Sequence, residues 1–124
     1  MEHREITVLT DVSLITCIVQ KGLADKVFKA AQQAGAQGAT TFFARGEGVR
    51  ERLGILSLAV EAEKEVMLVI VANDQADRVF EAMYVAGELD TPGMGMMYLT
   101  ALEKMATHIP PALVAKLAAQ SASA

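Results

Sequence analysis

Ala24-Asp25-Lys26-Val27-Phe28-Lys29-Ala30 returns as Ala76-Asp77-Arg78-Val79-Phe80-Glu81-Ala82, 52 residues later. The match runs outward in both directions, Ile18-Val19 answering Ile70-Val71 and Ala34-Gly35 answering Ala86-Gly87. A strand-like run, an amphipathic run and a terminating glycine therefore occur twice in 124 residues. One self-similar pair is too few for a stacked solenoid, which needs at least about three repeats. Two strand-helix copies that cover most of a small domain point instead to two βαβ halves sharing one sheet.

The runs between the copies fill in that plan. Val12 to Val19 is short and rich in β-branched residues, which predicts a strand. After Gly22, apolar residues at Leu23, Val27, Phe28, Ala31 and Ala34 mark one face of a helix, with Gly35 as its stop. Gly38 to Ala44 reads as a second strand on the β propensity of Thr40, Thr41, Phe42 and Phe43. Ile55 to Val60 is a further strand or one arm of a hairpin, and Glu61, Glu63, Lys64 and Glu65 read as a polar turn before the strand Val66 to Val71. Asn73 or Asp74 should cap the second helix, whose buried face is Ala76, Val79, Phe80, Met83 and Ala86. Met96 to Met105 is the expected last core strand, and Pro110-Pro111 opens a short helix carrying Leu113, Val114 and Leu117. The expectation is an α+β, ferredoxin-like βαββαβ sandwich with a C-terminal helix. It divides into an N-terminal arm or added strand (1–11), the domain (12–109) and a helix with a loose tail (110–124).

Composition narrows what such a domain can do. A net charge of −4, 5% aromatic residues and no Trp leave neither a basic face nor a stacking platform, so nucleic acid is not an expected partner. No apolar run reaches the roughly 18 residues of a membrane span. The N-terminus lacks the basic-then-apolar pattern of a signal peptide, and the single Cys17 can form no internal disulfide. A cytoplasmic location is the expectation. Val66 to Val71 is apolar at every position and Val12 to Val19 nearly so. Strands with helices on one face alone should alternate, so both faces of these strands ask for cover, and self-association is predicted.

Two segments carry candidate chemistry. In Arg45-Gly46-Glu47-Gly48-Val49-Arg50-Glu51-Arg52, the glycines allow close backbone approach and the arginines suit phosphate. No Lys-Ser/Thr pair or helix start follows, and with Glu47 and Glu51 balancing the arginines the motif alone favours a solvated hairpin loop. Gly87-Glu88-Leu89-Asp90-Thr91-Pro92-Gly93-Met94-Gly95 is a stiff turn-rich loop that either offers backbone N–H groups to an anion or simply joins helix to strand. Elsewhere the pattern is bland. Cys17 reads as core filler, His3 and His108 lack spaced partners, and Met94, Met96 and Met97 suit strand packing better than a pocket. No nucleophile has a base and an orienting group beside it, so no enzyme is expected.

Gly35-Ala36-Gln37-Gly38-Ala39-Thr40, then Arg45-Gly46-Glu47-Gly48, then Glu63-Lys64-Glu65 before an apolar strand, and finally the Gly87 to Gly95 loop, together resemble the PII family of signalling proteins. The likeness spans most of residues 13–105 and is closest to divergent members labelled nitrogen regulators, with a short T-loop. The resemblance implies a homotrimer that binds a small effector, an adenine nucleotide, in clefts between subunits, with no cofactor required. It also implies a T-loop that changes shape with the ligand and docks on a membrane transporter or a metabolic enzyme. Carried onto this chain, Thr40 would contact the base and Arg45, Gly46, Glu47, Gly48, Val49 and Arg50 form the base of the T-loop. Lys64 would end that loop near phosphate and effector. Gly87, Leu89, Pro92, Gly93, Met94, Gly95 and Met96 belong to the phosphate-cradling B-loop.

The departures from that pattern are specific. Met96 follows Gly95 where the main branch has a phosphate-binding lysine, and Thr107 and Ile109 stand near its two phosphate-binding arginines. Arg50 falls at or near the glutamine that helps hold 2-oxoglutarate, and no tyrosine offers a uridylylation site in the T-loop. Each phosphate-binding side chain replaced by a neutral residue removes about 1–3 kcal/mol. Unless Arg45, Arg50, Arg52, Lys64 or Lys104 compensates, the expectation shifts from ATP toward ADP, AMP or another small anion. Two other classes stay open on the residues alone: a metal-handling trimer of the CutA type, and an assembly module with a degenerate pocket.

Overall fold

The structure is a computed structural model and describes residues 6–45 and 63–112. In chain order its elements are β1 (Val8–Leu9), β2 (Val12–Gln20), α1 (Ala24–Gln33), β3 (Thr40–Arg45), β4 (Glu63–Ala72), α2 (Asn73–Ala86), β5 (Gly95–Leu102) and β6 (Met105–Ala106). The two copies of the repeat are α1 and α2, each leaving a central strand. The four long strands form one antiparallel sheet in the order β3-β4-β2-β5. Each helix thus carries the chain from its own central strand, past the other copy's, to an edge. This interleaving is the ferredoxin-like α+β plan. The remaining two strands, β1 and β6, pair antiparallel as a separate two-residue ribbon.

Alternation along the central strands decides the core. Ile15, Cys17 and Val19 of β2 and Met67, Val69 and Val71 of β4 point at the helices, where they meet Val27 and Ala31 of α1 and Ala76, Val79 and Met83 of α2. Fully burying an aliphatic side chain of this size contributes about 1.5–3 kcal/mol, so this layer dominates stability. Phe28, Phe80, Leu89 and Met97 pack around its margin. The two helices also lock end to side, because Arg78 Nε donates to the Ala34 carbonyl at 2.8 Å. That cation meets the carbonyl end of α1, where the helix dipole favours positive charge.

Several local expectations change. Glu63, Lys64 and Glu65 are the first residues of β4, not a turn before it, because each pairs with β3 and two also pair with β2. Neither Asn73 nor Asp74 caps α2; the cap position is Ala72. Asn73 instead bonds across the fold, accepting from Ser13 Oγ at 2.5 Å and donating Nδ2 to Asp11 Oδ1 at 2.8 Å. At the far end of α2, Gly87 is the cap at φ −82° and Glu88 takes the left-handed conformation at φ 53°. The last strand begins at Gly95 and ends at Leu102; Met105 belongs to the separate ribbon. A helix opens at Pro111, and the expected strand at 55–60 and the side chains of Leu113, Val114 and Leu117 lie outside the described residues.

The sheet face away from α1 and α2 is largely apolar, and among the described residues no helix covers it. Register sets Phe42, Val66, Ile18 and Met96 in one row across all four strands, and Thr40, Leu68, Thr16 and Tyr98 in the next. Phe42, Ile70, Met96 and Tyr98 are the large residues this face exposes.

Candidate functional site

At one end of the sheet, β2 and β3 stop while β4 and β5 start. Arg45 pairs with Glu63, Lys64 with both Ala44 and Gln20, and Val19 with both Glu65 and Gly95. The base of the arginine-glycine segment and the exit of the glycine-proline loop therefore share this end. They sit on opposite edges. Three strand spacings of about 4.8 Å, with a two-residue offset, separate Arg45 from Gly95 by roughly 16 Å.

The turn after β2 links the two edges. Gln20 Nε2 donates to the Gly93 carbonyl at 2.7 Å. Lys21 Nζ lies 3.1 Å from Glu63 Oε2, an exposed pair that contributes little by itself. Glu65 Oε1 accepts from the Gly22 N–H and, at 3.4 Å, from the Ala24 N–H. Helix α1 has no side-chain cap of its own at Leu23, so this carboxylate from β4 supplies the negative charge its N-terminus favours. Lys21, Phe43, Ala44, Arg45 and Glu63 line a shallow cleft of about 380 Å³ here. Lys64 is only 5% exposed and lies on the opposite sheet face. No sequence signal marked Gln20, and none gave Glu65 its capping role, because their partners are remote in the chain.

The glycine-proline loop offers fewer free donors than its composition suggested. The N–H groups of Gly87, Glu88, Leu89, Thr91 and Met94 are committed to carbonyls of the loop or of α2. Among the described residues, the N–H groups of Asp90 and Gly93 make no backbone bond. Leu89 spends its side chain on the core as well. Gly95 stands at φ 147° against β2, where an added Cβ would collide with the Ile18 carbonyl oxygen. Close backbone approach is the reason for that glycine. Met96 sits on the sheet face away from α1 and α2, and Pro92 and Met94 line neither the 580 Å³ nor the 380 Å³ cleft.

Thr40 lies elsewhere. It closes a cleft of about 580 Å³ whose floor is Leu68, Ile70 and Ala72 of β4 and whose near wall is the Gly35 to Ala39 segment. Leu9, Val12 and Met105 form the opposite side, and Gln37 and Gln75 are the polar side chains besides Thr40. Among the described residues, no charged one lines it. That volume falls within the range of small-molecule sites, and an uncharged wall with amide and hydroxyl edges suits a flat neutral ring. From Thr40 to Gly95, three strands across and three residues along, is roughly 17 Å. One chain therefore presents two separate features, an uncharged cleft and a charged sheet end. Gly46, Glu47, Gly48, Val49 and Arg50 lie outside the described residues.

Among the described residues no group of three or more His, Cys, Asp or Glu is placed to hold a metal. Cys17 is fully buried, and desolvation pushes its thiol up to about 11, away from nucleophilic use. No helix among the described residues is long and apolar enough to cross a membrane.

Comparison with known proteins follows the same lines. The family described as Nitrogen regulatory protein P-II matches residues 12–108. Among solved structures, Arabidopsis thaliana PII bound to citrate superposes with a TM-score of 0.59 at 19% identity, covering 76% of this chain and 79% of that one. At that identity the likeness speaks for the fold alone. No curated protein matches the sequence.

Proposed function

Because the chain belongs to the nitrogen regulatory protein P-II family, we propose that it is a non-catalytic, cytoplasmic signal-transduction regulator acting as a homotrimer. A small effector, an adenine nucleotide, binds between subunits. The bound state biases the segment between β3 and β4, the T-loop, which controls a transporter or metabolic enzyme. The observation that carries this reading is the split site. An uncharged cleft beside Thr40 suits a base, the charged sheet end with Arg45 and the Gly93 loop suits phosphate, and a single chain holds them roughly 17 Å apart. A second copy packed on the exposed apolar face is the economical way to bring one chain's cleft to another chain's charged end. Phe42, Ile70, Met96 and Tyr98 supply the reason for it to pack there.

The effector carries few phosphates on this reading. Met96 has no charge to offer, and most loop N–H groups are already bonded, so AMP or ADP is favoured over ATP. Citrate in the plant relative supports a small anionic effector as the broader class. Regulation follows from population shift: a ligand that contacts one T-loop arrangement better than another favours that arrangement. Calorimetry with AMP, ADP, ATP and cyclic AMP, alongside light scattering for mass, tests this directly. The expected result is one nucleotide per chain on a trimer, with AMP or ADP tightest. A monomer that takes none of the four overturns it.

A further inference from the structure

We infer that the N-terminal arm is a working wall of the ligand cleft, with Leu9 as a specificity-determining residue that sets how tightly a flat neutral ring is held there. The arm contributes β1, which pairs with β6 by Val8 to Ala106 and Leu9 to Met105. A two-residue ribbon is not stable alone, so its placement depends on what it packs against. What Leu9 and Met105 border is the 580 Å³ cleft, opposite Gly35 to Thr40. The near wall is cut back: a Cβ built on Gly38 meets nothing within 4 Å. Space on one side and two flexible apolar side chains on the other make a slot. The floor, Leu68 and Ile70, belongs to the rigid sheet, whereas the outer wall hangs on that short ribbon. Ligand contact with Leu9 therefore also holds β1 against β6, and the arm is ordered by what it encloses. The effect acts on the ring and not on the phosphate, since no charged residue among those described lines the cleft.

This inference rests on the cleft being the base-binding half of the proposed site, and the experiment separates the two. Leu9→Ala, Met105→Ala and the conservative Leu9→Met are titrated with adenosine and with AMP. Removing most of one leucine's packing is expected to weaken both ligands about tenfold, by the same factor, with Leu9→Met restoring most of the affinity. Loss for AMP alone, or unchanged affinity in both alanine variants, overturns the inference. A ligand-free arm uses Ala39→Cys, with buried Cys17 as the silent thiol. Its reaction rate with an aromatic disulfide reagent is expected to rise several-fold when Leu9→Ala is added. If the parent protein binds neither adenosine nor AMP, the base reading fails, and the thiol rates still decide whether Leu9 walls the cleft: no change refutes it.

Discussion

The side-chain amide of Gln20 donates to the carbonyl oxygen of Gly93 at 2.7 Å, tying the end of a central strand to a loop 73 residues further along the chain. Its neighbours Lys21 and Gly22 reach Glu63 and Glu65 at the start of β4. Three consecutive residues thus hold the glycine-proline loop on one side and the strand that follows residues 46–62 on the other.

Gln20→Ala should release the Gly93 loop without unfolding the chain. The lost bond is worth about 0.5–1.5 kcal/mol. Hydrogen exchange is expected to quicken across residues 93–95 while β2 and β4 keep their protection. Unchanged exchange there would show that the bond does not restrain the loop.

Glu65→Ala should cost about 1–2 kcal/mol, because the N–H groups of Gly22 in the preceding turn and of Ala24 at the start of α1 then lose their acceptor. Glu65→Gln keeps an acceptor oxygen and loses the charge, so it should lose less. Denaturant midpoints for the two variants rank them; equal midpoints for both and the parent would refute the cap.

Gly95→Ala is expected to destabilise by about 2–4 kcal/mol, since the new Cβ meets the Ile18 carbonyl and the backbone sits at φ 147°. Gly38→Ala is the control, open on all sides, and should stay within about 0.5 kcal/mol of the parent. Thermal melts of the pair distinguish a backbone clash from a general intolerance of glycine loss.

Cys17 makes stability depend on alkaline pH. Burial raises its thiol from 9.0 to about 11, so the folded chain holds that proton more tightly than the unfolded chain does. The contribution is complete below pH 9 and is lost as the pH climbs toward 11, a change on the order of 2–3 kcal/mol. Cys17→Ala should flatten that part of the stability profile. A parent profile with the same slope as the variant would assign the loss to other groups.

Phe42→Glu should disfavour self-association on the trimer proposed above. The row Phe42, Val66, Ile18 and Met96 would then present a charge where a second copy is expected to sit. Light scattering should report a smaller assembly with an intact fold by circular dichroism. A full-size assembly would move the interface to another face.

Much of this molecule is legible along the chain. The Ala-Asp-Lys/Arg-Val-Phe-Lys/Glu-Ala repeat predicts the two helices, and their buried residues Val27, Ala31, Val79 and Met83 are those the helical spacing selects. Boundaries are less legible. Glu63, Lys64 and Glu65 look like a turn by composition, yet strand pairing on both sides holds them extended. Asn73 has the chemistry of a cap, but Ser13 and Asp11 compete for its amide and win. The candidate loop at 87–95 suggests an open cradle because sequence shows glycines and not which N–H groups are already bonded.

What the chain determines by itself is periodic and local: two strand-helix copies, their apolar faces and the family to which residues 12–108 belong. Burial energy is read off spacing, so these features need no knowledge of distant partners. Only the tertiary structure decided that the uncharged cleft beside Thr40 and the charged sheet end at Arg45 stand at separate corners of one sheet. It also decided that Leu9 and Met105, from opposite ends of the domain, pair beside a cleft that both of them line. The physical reason is the interleaved order β3-β4-β2-β5. Strand pairing sets which ends of the two unlike halves become neighbours, and pairing partners are chosen by the whole sheet rather than by any segment within it.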